Sequence, residues 1–415
     1  MGKYFHYQNN KLHAERVPLE RIASEYGTPC YVYSRAALTE SFRQFADALQ
    51  GRDHLICYSV KANANLAILN VFARLGAGFD IVSGGELQRV LAAGGDVNKV
   101  VFSGVGKTAS EMRMALEAGI LCFNVESAAE LDRLNEVAGS MGKIAAISLR
   151  VNPDVDAKTH PYISTGLKQN KFGVAYTEAI GLYRKARAMP NLKITGMDCH
   201  IGSQLTETSP FIAAVEKVLL LVDALAQEGI ALEHLDLGGG LGICYQNETP
   251  PAISDYIAAL LFALKGRTQK LILEPGRVLV GNAGLLLATV EYTKPGEEKN
   301  FAIVDAAMND LMRPALYDAY HEILPVVREE HAMQTYEVVG PICETGDFLG
   351  HAREIAIAPQ SKLAIMSAGA YGMSMSSNYN TRPRAAEVMV DGDSVHLVRE
   401  RETVQQLFAG EKIVA

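Results

Sequence analysis

The sequence predicts an α/β protein: a closed (β/α)8 barrel of TIM type, joined to a second, mostly antiparallel β domain. Three observations predict it. Between residues 53 and 280 short apolar runs alternate with segments of 3.6-residue periodicity, the pattern of parallel βα units. Eight such runs occur, at 55–60, 79–83, 100–103, 121–125, 145–151, 194–200, 235–237 and 271–274. Eight units in roughly 230 residues fit a closed barrel, with a doubly wound open sheet as the alternative. After residue 281 the texture changes to short β-rich segments (LLLATVEYT, FAIVDA, TYEVVG, KLAIMSAG, AEVMVDGD, SVHLVRERE) between Gly, Pro and charged turns. The barrel is therefore expected over 25–280, and the β domain over 281–415 with 1–24, whose residues are expected to add a strand to it.

Helical stretches at 85–93, 128–137 and 210–228 separate the strand runs. The chemically interesting residues gather where the strands end: Lys61, Asp80, Asn124, Glu126, Arg150, His200, the Gly238-Gly239-Gly240 turn and Glu274. That end of a barrel carries the active site, so an enzyme is the leading class.

Composition excludes other classes. The 415 residues are 48% hydrophobic and 21% charged, with a net charge of −8 and no basic block, which argues against a nucleic-acid partner. No apolar run is long enough to span a membrane, and the N-terminal stretch MGKYFHYQNNKLHAERV has no signal-peptide core, so a cytoplasmic location is expected. The six cysteines form no C-x-x-C pair and no Cys/His zinc spacing, so no metal is expected. Cys30, Cys57, Cys122, Cys199 and Cys244 are expected to be buried free thiols.

Four motifs carry chemistry. In Tyr58-Ser59-Val60-Lys61-Ala62-Asn63 a buried strand delivers an amine to the barrel mouth, where partial desolvation favours the neutral form that condenses with an aldehyde. A solvated strand-end lysine is the commoner use of such a residue taken alone. In Leu237-Gly238-Gly239-Gly240-Leu241-Gly242 a strand runs into a glycine turn whose backbone N–H groups suit a phosphate, with a merely tight turn equally in view. In Leu273-Glu274-Pro275-Gly276-Arg277 a carboxylate suits a ring nitrogen and a guanidinium suits an anion. His200, in His200-Ile201-Gly202-Ser203-Gln204, suits stacking on a flat cofactor. Gly106-Lys107-Thr108 imitates a P-loop ending, but Val101 stands where the first glycine belongs, which rules out a Walker site. An imine-forming lysine, a phosphate cradle, an acid for a pyridine nitrogen and a stacking histidine together match the needs of pyridoxal phosphate.

At this point the sequence resembles a known family. YSVKAN, HIGSQ, LGGGLG, EPGR, CETGD and GAYGMSMSSNYN are similar to motifs of the fold-type III, alanine racemase-like pyridoxal-phosphate decarboxylases, above all the diaminopimelate decarboxylases. The resemblance implies that Lys61 holds the cofactor and that His200 stacks on its ring. It places Asp80, Ser203, Gly239, Gly240, Glu274, Pro275, Gly276, Arg277 and Tyr371 around the cofactor, with Glu274 on the pyridine nitrogen. It assigns Arg277, Arg313, Tyr317, Glu344 and Tyr371 to the substrate and makes Cys343 the proton donor. It also implies a homodimer in which the segment holding Cys343 and Glu344 completes the neighbour's site.

The expected reaction is decarboxylation of meso-2,6-diaminopimelate to L-lysine and CO2, the last step of lysine biosynthesis. A carboxylate at the ring nitrogen keeps the electron sink strong, whereas racemases of this fold offer an arginine there, so Glu274 favours decarboxylation. A substrate with a second amino-acid head needs a cation and an anion at its far end, and Arg313 and Glu344 supply them. Relatives acting on ornithine, arginine or carboxynorspermidine are the alternative, and a non-catalytic pyridoxal-phosphate carrier is a third. The polar stretch 158–173 is read as a lid over the barrel mouth, with an ordinary connection as the other reading.

Overall fold

The computed structural model describes residues 3–155 and 171–414. The chain divides into two compact units. One comprises Met1–Glu40, Cys244–Asn247 and Leu279–Ala415, and the other Ser41–Ile243 and Glu248–Val278.

The second unit is the barrel. Its strands are β1 (His54–Ser59), β2 (Gly78–Ile81), β3 (Val100–Phe102), β4 (Cys122–Val125), β5 (Ala145–Asn152), β6 (Leu192–Asp198), β7 (His234–Asp236) and β8 (Lys270–Leu273). All neighbours pair in parallel, and β8 returns to β1 through Leu271↔His54, Ile272↔Leu55 and Leu273↔Ile56, which closes the ring. The expected barrel is thus the one found, and closure rules out the open doubly wound sheet.

A recurring local grammar turns each strand into a helix. Asn65 accepts a hydrogen bond from Ala67 N–H ahead of the helix Leu66–Arg74, Ser83 from Glu86 N–H ahead of Gly84–Ala92, and Ser127 from Glu130 N–H ahead of Ala128–Ser140. Thr108 and Glu111 form a capping box at Ala109–Ala118. Each cap satisfies helix donors that would otherwise be orphaned, and so fixes where the strand's last residues stop. Inside the ring, Cys57, Val101, Cys122 and Ile272 form an apolar plug. Gly196 is required beside it, because a Cβ there would stand 2.1 Å from His234 Nε2. Burial pushes that histidine down to about 4, so it packs as a neutral ring.

The first unit is mostly antiparallel. Gly284–Lys294 is its central strand, pairing with Cys30–Ser34, Asn300–Val304 and Lys362–Ile365. Met333–Val339, Phe348–Ala356, Ala386–Asp391 and Ser394–Arg399 extend the sheet. Leu285, Leu287, Val326, Ala364 and Val388 form its core with Leu12, Leu19 and Ile22 from the N-terminus.

Three expectations need correcting. The N-terminal residues form their own three-stranded sheet, Phe5–Gln8, Lys11–Ala14 and Val17–Pro18, instead of adding a strand to the larger one. The segment that joins the larger sheet is Cys30–Ser34, hydrogen-bonded to Gly284–Lys294 and Ala386–Asp391. The barrel unit consequently begins at Ser41, not at residue 25. Cys244 is exposed, whereas Cys30, Cys57, Cys122 and Cys199 are buried as expected. No helix among the described residues is long and apolar enough to cross a membrane.

Candidate active site

The barrel unit brings its expected site residues to one rim, at the C-terminal ends of the strands. Lys61 follows β1 in a single 3-10 turn, Val60–Ala62. Its side chain is 39% exposed, and Nζ donates to Asp80 Oδ2 at 3.2 Å. Asp80, on β2, is fully buried, and the same oxygen accepts from Ser59 Oγ at 2.5 Å. The buried carboxylate holds the amine in place at the edge of solvent.

Glu274 follows β8 and is buried. Asn124 Nδ2 donates to its Oε1 at 3.4 Å and to Ser103 Oγ at 3.1 Å. Ligand oxygens of Asp198, Asp236 and Glu274, from the ends of β6, β7 and β8, lie within 4.8 Å of one another. Burial, then the charges of Asp236, Asp80 and Asp198, push Glu274 well above the usual carboxylate range, and Lys61 offsets this in part. Burial likewise raises Asp198 well above its ordinary value, and Asp236 to about 6. Arg150 counters this charge, with Nε 3.8 Å from Asp198 and Nη1 3.1 Å from Glu126.

The glycine turn is tight for two reasons. Gly238 and Gly240 have φ of +66° and +116°, a backbone region that side chains resist, and a Cβ on Gly239 would stand 2.1 Å from Glu274 O. Gly239 N–H donates to His200 Nδ1 at 3.2 Å. A backbone donor at Nδ1 leaves the ring proton on Nε2. Burial, then Arg150 and Lys61, hold the His200 pKa well below its ordinary value, so the imidazole is neutral. Arg277 is buried, and its Nη2 donates to Ser203 Oγ at 3.0 Å. Pro275 and Gly276 connect Glu274 to Arg277, and Ser59 N–H donates to Pro275 O at 3.2 Å.

The other expected residues belong to the β unit. Arg313 opens the short helix Arg313–Tyr317 and is buried. Cys343 and Glu344 are exposed in a loop, with Cys343 N–H donating to Asn380 Oδ1 at 2.8 Å. Tyr371 has φ of +56°. The loop holding Cys343 is tied to the loop preceding Arg313 by one buried carboxylate: Asp347 accepts from Ile342 N–H at 2.9 Å and from Met308 N–H at 2.7 Å.

Asp198, Asp236 and Asp347 lie in stretches that the sequence singles out, yet their roles depend on neighbours remote in the chain. The P-loop imitation has a structural use: buried Lys107 Nζ donates to Gly104 O, Asn124 O and Glu130 Oε1 at 2.7–2.8 Å. Most of the expected lid lies outside the described residues. At its end, Gly173 N–H donates to Glu126 Oε2 at 2.9 Å, and the Phe172 ring lies 4.9 Å from the Arg150 guanidinium.

The barrel rim suits pyridoxal phosphate. Among the described residues Asp80 Oδ1 and Asp198 Oδ1 are buried without a hydrogen-bond partner, and neighbouring carboxylates outweigh Lys61 around Glu274. A protonated ring nitrogen placed against Glu274 supplies what this floor lacks.

Comparison with known proteins agrees. Residues 35–281 match the family "Pyridoxal-dependent decarboxylase, pyridoxal binding domain". The diaminopimelate decarboxylase of Pseudomonas aeruginosa is 60% identical over 410 residues, covering 99% of each chain. That of Neisseria meningitidis serogroup A is 62% identical over 400 residues, covering 96% of this chain and 98% of its own. The chain belongs to the diaminopimelate decarboxylase family. The crystal structure of the Helicobacter pylori family member complexed with L-lysine superposes with a TM-score of 0.91 at 43% identity, covering 94% of this chain and 98% of that one. Pyridoxal phosphate is therefore the cofactor of this decarboxylase, and the fold is the family's barrel with an antiparallel β domain.

The loop leading into Arg313 generates a pH prediction. Asp310 Oδ2 accepts from Ala307 N–H at 3.0 Å, and burial pushes its carboxyl up to about 7, with that hydrogen bond and Arg382 pulling the other way. The folded state thus keeps a proton that the unfolded chain releases near 3.8. This favours folding fully below about pH 4, and the advantage is lost as pH rises through about 7. Asp310→Asn removes the titration, so between pH 5 and 8 the wild type should lose stability relative to the variant, by on the order of a few kcal/mol at most. Urea midpoints of both proteins at the two pH values check this.

Proposed function

We propose that this chain decarboxylates meso-2,6-diaminopimelate to L-lysine and CO2, the last step of lysine biosynthesis, as a cytoplasmic homodimer whose sites are shared across the subunit interface. The observation that carries the reading is Glu274, a buried carboxylate on the same barrel rim as the Lys61 amine, in a chain 60% identical end to end to a diaminopimelate decarboxylase. When bound, the cofactor supplies the electron sink that takes the pair left as the Cα–carboxylate bond breaks.

The chain's own residues do the rest. Lys61 holds the cofactor aldehyde, with Asp80 keeping the amine at the rim. Glu274 retains a proton on the ring nitrogen, which keeps the sink strong, and the acid floor around it favours that proton. Neutral His200 stacks without adding charge, while Ser203, Gly239, Gly240, Pro275, Gly276 and Tyr371 frame the ring and phosphate. Arg277 and Tyr371 orient the reacting end of the substrate. Arg313 and Tyr317 bind the carboxylate at the far end, and Glu344 binds the far ammonium. Cys343 returns a proton to the carbon that lost CO2. Arg313 and Glu344 together favour diaminopimelate over substrates that offer only a distal amine.

A CO2-release assay over diaminopimelate, lysine, ornithine and arginine, with and without added pyridoxal phosphate, tests the reading. Turnover should be confined to diaminopimelate and depend on the cofactor, and comparable turnover of ornithine or arginine would overturn the substrate assignment. Lys61→Ala should lose the visible absorbance of bound cofactor, and an unchanged spectrum refutes the role of that amine. Cys343→Ala should keep the absorbance and lose turnover about a hundredfold or more. Near-normal rates would move the proton donor elsewhere.

A further inference from the structure

Arg313 does not hold its position alone. His321, fully buried just before the strand Ile323–Pro325, places Nε2 2.7 Å from Arg313 Nη1 and Nδ1 2.8 Å from Met366 O. A guanidinium can only donate, and a backbone carbonyl can only accept. One proton arrangement satisfies both contacts: the hydrogen sits on Nδ1 and the lone pair of Nε2 faces the arginine. The ring is therefore neutral, because a second ring proton would face the Arg313 N–H group. Backbone pairing pins the histidine, with Met366 N–H donating to Glu322 O at 2.8 Å and Ile323 opposite Ile365. Tyr245 forms a second wall. Its ring centroid lies 4.5 Å from the Arg313 guanidinium carbon and 5.3 Å from the His321 ring, edge-on at 78°.

A buried arginine has many rotamers, and one that must receive a carboxylate in two-pronged fashion gains from being held in one. The neutral imidazole of His321 supplies such a hold on Nη1. We propose that His321 is a positioning residue for Arg313, holding the guanidinium to receive the carboxylate at the substrate's far end. It sets affinity for that carboxylate and takes no part in bond breaking. This rests on the assignment of Arg313 to the distal carboxylate made above.

The experiment compares wild-type holoenzyme with His321→Ala, His321→Gln and Arg313→Ala, all checked for the visible absorbance of bound cofactor. It measures kcat and KM for diaminopimelate, and inhibition by L-lysine, which carries a carboxylate, and by cadaverine, which does not. His321→Ala should raise the KM and weaken lysine inhibition by about tenfold, the effect of one lost hydrogen bond to a charged group. Its kcat should stay within about twofold and cadaverine inhibition should not change. His321→Gln, whose amide can accept from Arg313 and donate to Met366 O, should recover most of the loss. The proposal falls if His321→Ala weakens lysine and cadaverine alike, if kcat falls at constant KM, or if a folded Gln variant is no better than Ala. Should the alanine variant fail to bind cofactor, the Gln variant decides: wild-type preference for lysine over cadaverine supports the proposal, and its loss overturns it. Unchanged lysine inhibition in Arg313→Ala would show that the error lies in the Arg313 assignment itself, and the inference falls with it.

Discussion

Closure of the parallel ring is the constraint on which the barrel's chemistry depends. Lys61 and Glu274 are separated by most of the barrel sequence, and they share a rim only because Leu271–Leu273 pair with His54–Ile56. The same closure lets Ser59 N–H reach Pro275 O, so the backbone before the lysine and the backbone after the glutamate are hydrogen-bonded to each other. A parallel sheet also sends every strand in one direction, which places Ser59, Asp80, Asn124, Asp198 and Asp236 at the same end. An open sheet of the same strands would leave its first and last members at opposite edges.

That gathering is electrostatically expensive. Asp80, Asp198, Asp236 and Glu274 are all buried, and Arg150 and Lys61 are the cations set against them. Uncompensated buried carboxylates either find positive charge or keep protons, and the raised affinities of Glu274, Asp198 and Asp236 express the second outcome. Such an acid floor suits a protonated ring nitrogen placed against it. The glycine turn belongs to the same economy of space: with no Cβ at Gly239, the backbone of β7's loop packs directly on Glu274 O.

Much of this is legible in the sequence, for identifiable reasons. Strand ends are marked because an apolar run stops at a polar cap, as at Ser83, Thr108 and Ser127. Conspicuous residue types at those ends, Lys61, His200 and Glu274, therefore stand out before any coordinates exist. Proximity across the ring is different. Asp198 and Asp236 look like ordinary strand residues until β6, β7 and β8 bring their oxygens together. The apolar segment Cys30–Ser34 precedes the barrel in sequence, and periodicity cannot say which sheet such a run will join. Phe348–Ala356 escapes notice because its middle, Gly350-His351-Ala352-Arg353, breaks the alternation expected of a strand. His321 has no motif at all, and its meaning lies in the carbonyl of Met366, forty-five residues away.

Lys107 and Lys61 show how a scaffold sorts two chemically equal amines. Lys107 is sealed behind two carbonyls and Glu130, with no side-chain surface left to water, whereas Lys61 keeps 39% of its side chain open. An electrophile arriving from bulk solution meets one of them and never finds the other. Of these two amines, the fold buries one as an internal rivet and leaves the other at the edge of solvent.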